Sequence, residues 1–310
     1  MRLRRREKVL GCLAAAASLG LLGPLSPAIA TYPGANGDIL YVRQGAFRAM
    51  ASDGSGDHAF TSLDGNIKGV SFSPDATKAA VVEYTRRGAR IVLLDLVNDT
   101  RSVVLPVKRA PTRVLSSVAL SPNARRVAFA DGTYPVHLFT IRVDGSHLTK
   151  IATGYGDVDW GSNGRLVTSN GVFHFDGDRF IVTMDPDGGN KTVIATFPPV
   201  KESWGSVCEL VPSWSPDGGS VVFAAQRHRI IPDIWSVNSD GSGLHRLTRT
   251  PGASEAGATF SPDGTRIVFS KEKKGSQTTD LWTMDADGSN KSQLTDTPDR
   301  YEYPAAWLPA

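Results

Sequence analysis

Beyond residue 30 the chain is written in short β-branched and aromatic runs. Examples are Ile39-Leu40-Tyr41-Val42, Val136-His137-Leu138-Phe139 and Ile267-Val268-Phe269. Gly, Pro, Asp and Asn bound these runs, so each predicts a strand ended by a turn. No segment sustains a helical period.

The runs repeat. Ser215-Pro216-Asp217-Gly218 recurs as Ser261-Pro262-Asp263-Gly264, and more weakly as Ser73-Pro74-Asp75-Ala76 and Ser121-Pro122-Asn123-Ala124. Gly161-Ser162-Asn163-Gly164 is a degenerate copy. A large apolar residue precedes each: Phe72, Leu120, Trp160, Trp214 and Phe260, with Trp307 as a sixth. A second landmark is an apolar strand that ends in an acidic or amide residue, usually before Gly. It occurs at 47–54, 91–98, 138–145, 180–188, 234–241 and 281–288. Leu-Thr follows at 148–149, 247–248 and 294–295. In Ser-Pro-Asp-Gly, Pro presets φ and Gly accepts a positive φ, which makes a tight turn. Each unit therefore reads as four short strands, and units of about 45 residues are the size of propeller blades. The prediction is an all-β, six-bladed β-propeller with four antiparallel strands per blade. The chain enters on a second strand near Asp38 and leaves on a first strand over 303–307. The N- and C-terminal strands should share one blade and leave no open edge at the seam.

Residues 1–30 have another character. Arg2, Arg4, Arg5, Arg6 and Lys8 precede an apolar stretch from Val9 to about Leu22, and Ala28-Ile29-Ala30 follows. The stretch falls short of the roughly 20 residues that a membrane span needs. Together these features predict a secretory signal peptide cleaved after Ala30. The expected domains are a signal peptide over 1–30 and one propeller over 31–310. The product is expected to be exported, as an extracellular, cell-envelope or periplasmic protein with no stable membrane span after cleavage.

The repeats resemble those of the TolB-type β-propellers. The likeness rests on Trp214 to Gly218, Phe260 to Gly264, Asp233-Ile234-Trp235, Asp280-Leu281-Trp282-Thr283-Met284 and the Asp-Gly to Leu-Thr segments. It implies a propeller outside the cytoplasm. Such propellers serve as protein-interaction platforms of the cell envelope, and related ones accompany hydrolase domains or act as lyases.

Charge changes the picture once the leader is set aside. The 310 residues carry a net +3, but residues 31–310 hold 29 basic and 30 acidic residues. The basic surplus belongs to the leader, so composition gives no case for a nucleic-acid partner. Of two cysteines only Cys208 lies beyond residue 30, which excludes a disulfide scaffold. No Gly-x-Ser-x-Gly elbow is present. The histidines lack metal-ligand spacing, so no metal or other cofactor is expected. Asp185-Pro186-Asp187-Gly188 and Asp285-Ala286-Asp287-Gly288 open like calcium loops, but Thr196 and Asp296 stand where the twelfth-position Glu belongs. They read as hairpin turns.

One constellation stands out. Glu209, Glu255 and Glu302 each lie five residues before a landmark aromatic, where the other repeats carry Ile67, Leu115 and Tyr155. Equivalent positions form a ring in a propeller. Three carboxylates on adjacent blades would make an acidic arc at one channel mouth, with the chemistry to hold a cation or a basic side chain. The plain alternative is that each Glu solvates a surface loop. Further binding candidates are Trp204, in the longest insertion, and Arg227 and His228, in another loop. The expected function is an exported, monomeric binding module that takes a protein or small polar ligand at the loop face and channel mouth. The alternative is a carbohydrate-active lyase or hydrolase that uses the arc with His228 or Arg227.

Overall fold

The computed structural model describes residues 32–63, 66–107, 110, 114–131, 135–170, 178–198, 210–226, 231–272, 278–298 and 300–310. These residues form six antiparallel sheets of four strands, in line with the blade arithmetic of the repeats. The first strands of blades II to VI are Ile67–Phe72, Leu115–Leu120, Val158–Trp160, Ser213–Trp214 and Glu255–Phe260. Blade I takes its first strand, Glu302–Pro309, from the other end of the chain. That strand pairs with Asn36–Arg43, with Ile39 opposite Trp307 and Arg43 opposite Glu302. The six first strands contact one another in a closed circle.

The core follows from this circle. All six landmark residues are buried. Apolar side chains from each pair of neighbouring blades form six separate clusters, one per interface. No blade can bury its faces alone, so stability is shared around the ring.

The repeated turn also has a local cause. In blade V, Ser215 Oγ donates to Asp217 Oδ1 at 2.6 Å, and Asp217 Oδ1 accepts the Gly219 amide at 2.9 Å. Blade VI repeats this with Ser261, Asp263 and Thr265. Gly218 and Gly264 sit at φ 69° and 74°. The weaker copies place Ala76 and Ala124 at φ 52° and 51°, which strains a residue with a Cβ. Five residues separate the first and second strands in all five of these blades: 73–77, 121–125, 161–165, 215–219 and 261–265.

Candidate functional site

Antiparallel pairing gives the propeller two unlike faces. The turns from first to second and from third to fourth strand share one face. The loops from second to third strand and the crossings between blades share the other. The first face, the constant face, varies little: its first-to-second turns hold five residues in blades II to VI, and its third-to-fourth turns run from four to seven. The second runs from two-residue loops (44–45 and 86–87) to a nine-residue loop (170–178), and its crossings run from 154–157 to 198–212.

Glu255 and Glu302 open the first strands of blades VI and I, at the variable face. Their position is as the repeat predicts, but their environment is not: both are buried, at 1% and 0% exposure. Neither solvates a loop, and neither stands open at the mouth. The reason is a local motif, Leu-Thr-x-Thr-Pro, that follows the fourth strand of the preceding blade. Thr295 Oγ1 accepts the Leu281 amide at 2.9 Å and donates to Glu302 Oε2. Thr297 Oγ1 donates to Glu302 Oε1 at 2.9 Å. In the neighbouring interface Thr248 Oγ1 accepts the Ile234 amide at 2.9 Å, and Thr250 Oγ1 donates to Glu255 Oε1 at 2.7 Å. Each glutamate thus ties one blade to the next.

The residue across the strand pair sets the charge balance. Arg43 faces Glu302 in register, and its Nε donates to Oε1 at 2.5 Å. Arg43 also reaches Asp57 at 2.8 Å. With Arg48 and Tyr41 it draws the partly buried Asp57 down to about 2, against the upward push of burial. Lys271 faces Glu255 in the same register, but its Nζ lies over the Trp282 ring at 4.4 Å. Thr248 polarises the Glu255 carboxylate, yet Oε2 has no partner of hydrogen-bond geometry among the described residues. Burial pushes the Glu255 carboxyl up, against the pull of Thr248, Thr250 and Lys271. No His, Tyr or Lys hydrogen-bonds either glutamate among the described residues.

Two other blades invert the pattern. Ile67 faces Glu83, and Leu115 faces Asp131. Glu83 pairs with Arg90 at 2.8 Å. Asp131 accepts the His137 amide at 2.7 Å and meets His137 Nδ1 at 3.0 Å. The carboxylate is buried and the ring is partly exposed (side chains 2% and 26%). Such a carboxylate orients an imidazole through Nδ1, at the variable-face end of the third strand. Sequence reading placed His137 only in an apolar run. The available signal was an acidic residue closing the second strand just before it.

Glu209, Trp204, Arg227 and His228 lie outside the described residues, as does Cys208. The Asp-x-Asp-Gly segments are hairpin turns: Asp187 Oδ1 accepts the Gly189 amide and Asp287 Oδ1 the Ser289 amide, both at 2.8 Å. Among the described residues no group of three or more His, Cys, Asp or Glu could hold a metal ion. No helix among them is long and apolar enough to cross a membrane. On the constant face a cleft of about 390 Å³ opens between blades V and VI, lined by Ser215, Pro216, Phe260, Pro262 and Asp263, with Pro33 at its side.

Known proteins bear out the architecture. Tol-Pal system protein TolB of Anaeromyxobacter dehalogenans is 33% identical over 90 residues, which is 29% of this chain and 18% of that protein. The match thus spans under a fifth of that relative's length. TolB from Acinetobacter baumannii superposes with a TM-score of 0.67 at 18% identity, covering 88% of this chain and 67% of that one. An oligogalacturonate lyase in complex with manganese superposes with a TM-score of 0.54 at 17% identity, covering 86% and 75%. At these identities the likenesses show a shared fold. A family description of the TolB β-propeller domain matches residues 39–309, nearly the whole propeller, and the chain belongs to that family.

Proposed function

We propose that this protein is an exported binding module that engages a protein or a small polar ligand through its variable face. The observation that carries the reading is the contrast between the two faces. Turns on one face stay between four and seven residues, whereas loops and crossings on the other run from two to fifteen. Binding groups concentrate on loops held by a rigid scaffold, and a closed ring of six interface cores is such a scaffold. The fold family agrees, since a curated relative is named for the Tol-Pal system. In this reading Trp204, Arg227, His228 and Glu209 belong to the recognition surface. Export by cleavage after Ala30 places the module outside the cytoplasm, as a monomer.

The test is capture from the native envelope by the purified propeller. One variant replaces residues 199–209 with a short Gly/Ser linker, and a control carries Ser162→Ala on the constant face. Loss of the captured partner by the first variant alone is the expected result. Equal capture by both variants would overturn the reading.

The second reading, a carbohydrate-active lyase or hydrolase, draws on the Asp131–His137 pair at the same face. A lyase needs a base held near the sugar, and a carboxylate-oriented imidazole suits that role. Incubation with an acidic polysaccharide, followed by absorbance of the unsaturated product, tests it. A signal abolished by His137→Ala would favour the enzyme over the module.

A further inference from the structure

In blades II and III the first strand is buried except for one residue, Lys68 in one and Ser116 in the other. Both stand four residues before the landmark, at equivalent positions of adjacent blades. The Ser71 hydroxyl accepts the Leu120 amide at 2.9 Å and holds the two strands side by side. Each residue also sits in a β-bulge. Ile67 faces Glu83 and Gly69 faces Val82, so Lys68 has no opposite number; Leu115 faces Asp131 and Ser117 faces Ala130, so Ser116 has none. A bulge re-aims the side chain it leaves unpaired. A first strand is covered along one edge by its second strand and on its two faces by neighbouring blades. Solvent reaches it from the channel, so Lys68 and Ser116 line the channel near its variable-face mouth.

Their polar groups are unmatched. Neither the Lys68 ammonium nor the Ser116 hydroxyl has an ion pair or hydrogen bond among the described residues. Burial pulls the Lys68 pKa below the usual lysine value, and no neighbouring carboxylate raises it. The carboxylates of the described first strands, Asp159, Glu255 and Glu302, are buried. Both Asp159 oxygens accept amides, from Trp160 and Trp214, at 2.8 Å each. Lys68 is thus the one charged side chain of the described first strands that meets solvent. Tyr303 takes the same position in blade I, on the other side of Lys68, and is also half-buried. A partly desolvated ammonium without a counter-ion is held at a cost, and an anion beside it offsets that cost through charge-assisted hydrogen bonds.

We propose that Lys68 and Ser116 form a seat for a carboxylate at the variable-face mouth of the channel, with the ammonium and the hydroxyl as its donors. A carboxylate carries one charge and two acceptor oxygens, which a single ammonium and one hydroxyl can match. A phosphate dianion would keep half of its charge uncompensated. The ligand charge is the reverse of the one expected of the acidic arc. The inference rests on the reading of the variable face as the binding face, and its test works on the purified protein alone, so that either can fail without the other.

The probes are succinamate, a small monocarboxylate, succinamide, its neutral counterpart, and inorganic phosphate. The wild-type protein is acetylated with a limiting reagent, and the rate at Lys68 is read by peptide mass spectrometry. Saturating succinamate should slow that rate about five-fold and phosphate less, while succinamide leaves it unchanged. By calorimetry Lys68→Met should abolish succinamate binding, and Ser116→Ala should weaken it about ten-fold. Equal protection by succinamate and succinamide, or none by either, would overturn the seat. Stronger protection by phosphate would overturn its assignment to a carboxylate. A free acid and an acidic side chain of a partner present the same group, and Lys68→Met in the capture experiment separates them: loss of the partner assigns the seat to a side chain, and retention assigns it to a free acid. Protection by succinamate together with equal capture by the loop variant and its control would leave the seat standing and refute the loops as the recognition surface.

Discussion

The interfaces between blades V and VI and between blades VI and I are built on one plan and differ at one atom group. Both use Leu-Thr-x-Thr-Pro and a glutamate that opens the next blade. At the seam, Arg43 lies opposite Glu302 and contacts it. In the neighbouring interface Lys271 lies opposite Glu255 but stacks on Trp282. A guanidinium is planar and presents a fixed fork of donors, which suits a buried carboxylate. A lysine ammonium is a compact charge that takes a nearby ring face as readily. The two glutamates occupy equivalent positions in the fold, yet one is matched by a cation and the other is held at a cost. The seam joins the chain ends without a covalent loop, and it is there that the stronger pair occurs.

Deleting residues 303–310 should have the largest effect, because it removes the innermost strand of blade I and the partner of Asn36–Arg43. Loss of cooperative unfolding by calorimetry is expected, and a truncated chain that melts like the full one would refute closure. Next comes Glu302→Gln, which leaves Arg43 facing a neutral group. It should lower stability by about 3 kcal/mol at neutral pH, read by urea denaturation.

Glu255→Gln should behave in the opposite way. The folded-state pKa of Glu255 is raised, so its contribution is fully present below the unfolded carboxyl value near 4.3 and is lost as pH rises through the folded value. The wild type should therefore lose stability relative to Glu255→Gln between pH 4 and pH 8. A variant equally offset at both pH values would contradict the burial argument. The smallest effect is expected for Lys271→Arg. It should bring a donor fork to Glu255, flatten that pH dependence and add less than about 1 kcal/mol.

The fold was legible because a repeat states its own period. Six landmark aromatics or leucines, six third-strand endings and a turn with a fixed chemistry marked every blade. The chain-end closure followed from where the period began and broke off. The spacing of Glu255 and Glu302 also placed them correctly, at the variable-face end of the first strands. What their spacing could not convey was burial. That depends on Thr248, Thr250, Thr295 and Thr297 in the preceding blade, and on the residue opposite in the second strand. Leu-Thr was visible as a landmark of the repeat, but its hydroxyls reach the carboxylate only when blades stack. The same holds for His137, whose partner Asp131 is six residues away across a loop, and for Asp159, whose amide donor Trp214 belongs to the next blade.

The central question about the arc is whether its described carboxylates hold blades together or stand free for a ligand. Melting temperatures of Glu302→Gln and Glu255→Gln, measured side by side at pH 7, answer it most directly. The structure predicts a fall of about 6 °C for Glu302→Gln and no fall for Glu255→Gln. Two variants that both melt like the wild type would show the glutamates to be free surface groups and would contradict the account.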